Sequence, residues 1–316
     1  MRTFLVRTIY RCVAWVACLA TASGVGAVVQ AQTPTDAACN GGNAMEHAAD
    51  ASGAPSVAFF YGAQVPVEQL SGFDAVVVEP DSGFDPAVQH TACTDWFAYV
   101  SVGEVTPQRQ YYAAMPREWL AGHNAAWASS VVDQDAPGWA AFYVKHVIAP
   151  LWRKGYRGFF LDTLDSYQLI AKTDAARQRQ QAGLVAVMRA IKARYPAAKL
   201  MFNRGFEILP QVHDLVYAVA FESLYSGWDQ AKQRYAPVLP ADRAWLLGQA
   251  KIIREQYRLP VIAIDYCAPG DAQCAHDTVL KICNDGLVPY VADGALMTVG
   301  VGRAGVCEGE PTLTRP

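Results

Sequence analysis

Along this chain, short apolar runs end abruptly in polar or acidic residues. Longer stretches with apolar positions every three or four residues lie between them. The runs read as buried strands at Ser56–Tyr61, Asp74–Glu79, Trp96–Val102, Arg157–Asp162, Ala198–Asn203, Leu215–Glu222, Val261–Asp265 and Val288–Ala292. They are rich in β-branched and aromatic residues, which suit a pleated, buried surface. The spacing predicts helices over Gly138–Arg153, Asp174–Tyr195, Asp242–Tyr257 and Ala275–Asn284. Asp174 is the expected N-cap of the second helix and Pro196 its stop.

Strand alternating with helix implies a parallel sheet. Eight such units predict an α/β fold, a (β/α)8 TIM barrel in a single domain; a doubly wound open sheet is the alternative. The barrel is expected over residues 56–316, after a small-residue linker at 32–55. Arg2, Arg7 and Arg11 precede an uncharged stretch, and Val29-Gln30-Ala31 offers a small-residue cleavage site. Residues 1–31 therefore read as a signal peptide, with no stable membrane insertion after its removal; an uncleaved membrane anchor is the alternative, weakened by Thr21, Ser23, Gly24 and Gly26. The protein is then exported, periplasmic or extracellular.

Removing that segment changes the charge balance. Of 26 Lys and Arg, 23 remain against 29 Asp and Glu, a net charge of −6. No basic block remains, so nucleic acid is not the expected partner, and nothing in the sequence identifies a protein partner. Six cysteines also remain: Cys39, Cys93, Cys267, Cys274, Cys283 and Cys307. An even number in an exported chain predicts disulfides; six cysteines leave about 15 pairings open, of which Cys267–Cys274 and Cys283–Cys307 are the local choice.

In a parallel barrel, chemistry gathers where strands end. The strand tips present Tyr61, then Glu79 and Asp81, Ser101 and Glu104, Asp162 with Asp165 and Tyr167, Asn203 with Arg204, Glu222 with Tyr225, Asp265 with Tyr266, and Asp293. Clustered acids raise one another's pKa, which keeps one protonated as a general acid. Asp162 and Glu222 stand out, because each ends a buried run with no turn signal immediately after it. Asp81, Asp165 and Asp293 also suit turns or caps. Asn203 and Arg204 could bind a hydroxyl or orient an acid. Tyr61, Tyr111, Tyr112, Tyr167, Tyr225 and Trp228 could stack on sugar faces or pack the rim. Two carboxylates on strand tips suggest a glycosidase.

Other chemistries fit less well. Lys199 sits at the start of its strand, on the wrong face for a Schiff base. The six histidines share no short metal-binding spacing, and neither a metal nor an organic cofactor is expected.

The segment Phe159-Phe160-Leu161-Asp162-Thr163-Leu164-Asp165-Ser166-Tyr167 resembles the signature of glycoside hydrolase family 114-like TIM barrels. These include endo-α-1,4-polygalactosaminidases and the family 166 hydrolase domain of PelA. Phe59-Phe60-Tyr61-Gly62, Val76-Val77-Val78-Glu79-Pro80, Ala98 to Glu104, Phe202-Asn203-Arg204-Gly205-Phe206 and Phe221 to Tyr225 extend the likeness over roughly 56–295. The resemblance implies a barrel that cleaves α-1,4-linked galactosamine or N-acetylgalactosamine exopolysaccharide, with catalytic residues matching Asp162 and Glu222. Retaining chemistry with Asp162 as nucleophile and Glu222 as acid/base is the expectation. Tyr61, Asp81, Glu104, Asp165, Tyr167, Asn203, Arg204, Tyr225, Asp265 and Tyr266 are the expected substrate-binding residues, with Glu104, Asp265 and Asp81 meeting the charged amine. A non-catalytic polysaccharide-binding barrel is the alternative.

Overall fold

The computed structural model describes residues 54–308 except 90, 92, 231 and 304. The expected signal peptide and nearly all of the expected linker lie outside the described residues. Thirteen strands form in chain order: β1 (Val57–Phe60), β2 (Ala75–Val78), β3 (Asp95–Ser101), β4 (Glu104–Val105), β5 (Leu120–Asn124), β6 (Ser129–Val132), β7 (Gly158–Asp162), β8 (Lys199–Asn203), β9 (Ala218–Glu222), β10 (Ser226–Asp229), β11 (Arg234–Pro237), β12 (Val261–Tyr266) and β13 (Val288–Ala292). Eight of them make one parallel sheet in the order β1-β2-β3-β7-β8-β9-β12-β13. All eight predicted strands are present, each within a few residues of its expected limits, and the architecture is the (β/α)8 barrel.

Barrel strands are buried along almost their whole length because helices cover the outside and side chains fill the inside. Phe59 packs edge-on against Phe160 at 5.0 Å and tilted against Tyr290 at 5.5 Å, forming an aromatic floor under the mouth. Gly158 makes room lower down, since a Cβ there would sit 2.3 Å from the Phe97 ring.

The last joint differs from the others. No ladder joins β1 to β13 among the described residues. Instead the Tyr61 amide donates to the Leu296 carbonyl at 2.8 Å, and the Tyr290 hydroxyl donates to the Phe59 carbonyl at 2.8 Å. Val301 pairs antiparallel with Val291 on the edge of β13 that β12 leaves free. Arg303 then reaches the Gln69 carbonyl at 2.6 Å, and the Cys283–Cys307 disulfide fastens the segment to the last helix. Cys267–Cys274 also forms, so both expected local pairings are present.

The helices carry small corrections. Thr173, rather than Asp174, caps the long helix Asp174–Arg194, its side chain accepting from the Ala176 amide. Helical structure over Trp139–Arg153 passes through a π turn at Val144–Ile148, just before Pro150. A proline removes an amide donor and crowds the preceding turn, so the wider turn relieves it. Two features were not anticipated: the three-stranded sheet β4-β6-β5 after β3, and the β10-β11 hairpin after β9. Among the described residues no helix is long and apolar enough to cross a membrane.

Candidate active site

Strand alternation decides which tip residues face the barrel interior. Phe160 faces inward, and so does Asp162 two residues on. The same parity brings in Tyr99 on β3, Asn203 on β8, Glu222 on β9 and Tyr266 at the end of β12. These five side chains form one chain of hydrogen bonds across five consecutive strands. Tyr99 donates to Asp162 Oδ2 at 2.7 Å, and Asn203 Nδ2 donates to Asp162 Oδ1 at 2.9 Å. The same Nδ2 donates to Glu222 Oε1 at 2.9 Å, and the Tyr266 hydroxyl donates to Glu222 Oε2. Two oxygens that share one nitrogen at 2.9 Å each are no more than 5.8 Å apart.

The pair is nearly dry: Asp162 is 8% exposed and Glu222 3%. Burial, and then the neighbouring Asp162 charge, raise the Glu222 carboxyl from 4.5 to about 7. Burial also raises Asp162, but hydrogen bonds from Tyr99, the Thr163 backbone and Asn203 work against it. Burial, followed by the adjoining carboxylates, pushes the Tyr99 and Tyr266 phenols upward, so both remain donors. The environment thus separates the two carboxyls: one is poised to carry a proton near neutrality, the other is supplied with donors that favour its ionised form.

The backbone repeats one device at this place. Thr163, Arg204 and Ser223 follow Asp162, Asn203 and Glu222, and have φ of +61°, +61° and +63°. These are left-handed conformations in residues other than glycine, which are strained and gather at functional sites. The Arg204 and Ser223 amides still bond to the next strand, through the Ala220 and Ile264 carbonyls, before the chain turns away. Each inward carboxylate or amide is thereby followed at once by a turn. No residue type signals these turns, because none of the three is Gly, Asn or Asp.

Other predicted site residues fall in different places. Tyr61 lies at the mouth with its ring 5.4 Å from Tyr99. Asp165 is half-buried beside Asp162, whose pKa it pushes upward. Glu104 is buried at the foot of the side sheet, accepting from Asn124 at 2.9 Å and from the Ser129 and Ser166 hydroxyls. It ties that sheet to the loop after β7. Glu79 and Asp81 both hold Arg109. Tyr167 is buried, its hydroxyl accepting from Gln181 of the long helix at 2.7 Å.

Asp265 has the opposite parity to Tyr266, so it points away from the interior. It is fully buried there and accepts from the amides of Leu224, Tyr225 and Ser226 at 2.6, 2.7 and 2.9 Å. Burial raises its carboxyl to about 6. Tyr225 follows it outward: the hydroxyl donates to Asp285 and the ring lies 5.3 Å from the Arg243 guanidinium. Asp293 accepts from the Ala295, Met297 and Thr298 amides as a turn residue. Lys199 lies at the closed end, paired with Asp95. Arg109 is the participant that sequence reasoning missed, since it lies in a loop with no periodicity. Among the described residues no cluster of metal-ligating side chains occurs.

The profile of glycoside-hydrolase family GH114 matches residues 42–310. The glycoside hydrolase domain of PelA from Pseudomonas aeruginosa is similar at 38% identity, with a TM-score of 0.72 over 79% of this chain and 99% of that one. Aspergillus fumigatus Ega3, in a complex with galactosamine, is similar in fold alone: 13% identity and a TM-score of 0.54, over 77% of this chain and 92% of that one. No curated protein sequence matches the chain.

Proposed function

Because the chain belongs to glycoside hydrolase family GH114, we propose that it is an endo-acting hydrolase of α-1,4-linked galactosamine or N-acetylgalactosamine polymers. Asp162 is the nucleophile and Glu222 the acid/base. The observation that carries this reading is the Asn203 nitrogen shared between the two carboxylates. It limits their nearest oxygens to 5.8 Å, which suits the ~5–5.5 Å of a retaining pair better than the roughly 6.5–9.5 Å that admits a water for inversion. The galactosamine in the Ega3 complex supports the substrate class.

In this mechanism Asp162 attacks the anomeric carbon as Glu222 gives its proton to the departing glycosidic oxygen. A glycosyl ester forms on Asp162, and Glu222 is left ionised. Glu222 then takes a proton from water, whose oxygen attacks the same carbon and frees Asp162. The Tyr99 and Asn203 donors to Asp162 suit a group that must begin and end as an anion. Paired disulfides and a leader-like N-terminus support an exported protein acting on an extracellular polymer.

Mass spectrometry of α-1,4-galactosamine oligosaccharides, acetylated and free, tests this with wild type and Glu222→Gln. Shorter products from wild type alone are expected. Intact oligomers with both proteins would favour a binding barrel, and equal cleavage by both would exclude Glu222 as the acid.

A further inference from the structure

Arg109 connects two observations that the site alone leaves separate. The first is the fate of the acids at the β2 tip. Arg109 Nη1 lies 2.6 Å from Glu79 Oε1 and 2.8 Å from Asp81 Oδ2, and Nη2 lies 3.0 Å from Glu79 Oε2. Both acids are committed to fixing one guanidinium whose side chain is only 17% exposed. Burial disfavours that charge, but Glu79 more than offsets it, so the group stays protonated. The second observation is where the cation is held. Its central carbon lies 5.7 Å from the centre of the Tyr99 ring, and the Tyr99 hydroxyl donates to Asp162.

We propose that Arg109 is a positioning residue that acts through the Tyr99 phenol to keep Asp162 an ionised nucleophile. This rests on the assignment of Asp162 above. A cation against an aromatic ring draws electron density from it and makes the phenol a stronger donor. A stronger donor to a carboxylate favours its charged form. Glu79 and Asp81 cancel most of the guanidinium field at a distance, whereas its contact with the ring survives. The action therefore passes through Tyr99 rather than directly to Asp162.

The groups around this path are few. Tyr61 packs edge-on to Tyr99, and Tyr111 and Tyr143 lie within electrostatic reach of Arg109. Asp165 faces Asp162 with like charge, Asn203 donates to it, and Glu222 lies across Asn203 as the protonated partner, with Arg204 facing Glu222. Deleting Arg109 weakens the phenol as a donor, which makes Asp162 easier to protonate.

The test is kcat/KM against pH on a galactosamine oligosaccharide for wild type, Arg109→Met, Arg109→Lys, Tyr99→Phe and the Tyr99→Phe/Arg109→Met double variant. Arg109→Met and Tyr99→Phe are each expected to move the acid limb up by about 0.5–1 pH unit, with the basic limb fixed. Arg109→Lys keeps the charge and the wild-type acid limb. The double variant moves no further than Tyr99→Phe alone. An unmoved limb in Arg109→Met, or an equal further shift in the Tyr99→Phe background, overturns the proposal. Tyr99→Phe removes one oxygen and keeps the packing, so an unmoved limb there overturns it even where Arg109→Met fails to fold. Wild type that cleaves nothing would refute the functional assignment instead, which separates the two failures.

Discussion

Glu222→Gln should make this protein more stable at alkaline pH while removing its activity. The wild-type carboxyl is raised from 4.5 to about 7 by burial first and by the Asp162 charge second. The folded state therefore holds this proton more tightly than the unfolded chain does. Stability from this group is present at low pH and is lost as pH rises from 4.5 through 7. At pH 8 the ionised, buried carboxylate costs about 3 kcal/mol, from a shift of roughly 2.5 units at 1.36 kcal/mol each. Glutamine removes that cost but cannot accept from both Tyr266 and Asn203, and a lost hydrogen bond returns about 1 kcal/mol. The net gain is about 2 kcal/mol, or roughly 4–8 °C in Tm for a domain of this size. At pH 5 the wild-type group is already protonated when folded, and the gain falls to about zero. Thermal unfolding of both proteins at pH 5 and pH 8, followed by circular dichroism, reads the difference. A Tm gain that is the same at both pH values, or a loss at pH 8, would refute the argument.

Activity against pH is expected to be bell-shaped, with its basic limb near pH 7 as Glu222 loses its proton and its acid limb set by Asp162; a basic limb above pH 9 in kcat/KM would contradict that assignment. Gly183→Ala should destabilise despite alanine's helix preference of about 1 kcal/mol, because its Cβ would lie 1.9 Å from the Gln134 carbonyl oxygen; chemical denaturation should show a loss of several kcal/mol. The paired variant Cys283→Ser/Cys307→Ser opens a disulfide of sequence separation 24, and a stability loss of about 3 kcal/mol is expected on denaturant titration.

The barrel was legible because its strands are buried on both faces and so read as uninterrupted apolar runs. Asp162 and Glu222 were legible for the same reason: each is the first polar residue after such a run. What alternation controls was harder to read. Asp265 and Tyr266 are adjacent at one strand tip, yet one is sealed among backbone amides outside the barrel and the other holds Glu222 inside. A run without clear period-2 alternation does not say which of two neighbours faces in. Tyr225 was misplaced with it, since its loop folds outward onto Asp265. Arg109 and the side sheet lie in a long β3–β7 connection. Their place is set by contacts with Glu79 and Glu104 that are distant in sequence.

The joint between β1 and β13 gives the barrel a mechanical direction. Seven boundaries are continuous ladders, which share a load among several parallel bonds. The eighth rests on the Tyr61 amide, the Tyr290 hydroxyl and the strap that carries Val301, Arg303 and Cys307. Force applied across it falls on two bonds and, beside them, a disulfide-anchored strap. The molecule is therefore built to yield along one line, like a cask whose last stave is held by its hoop. That line runs beside Tyr61 at the mouth, on the side of the barrel away from Asn203.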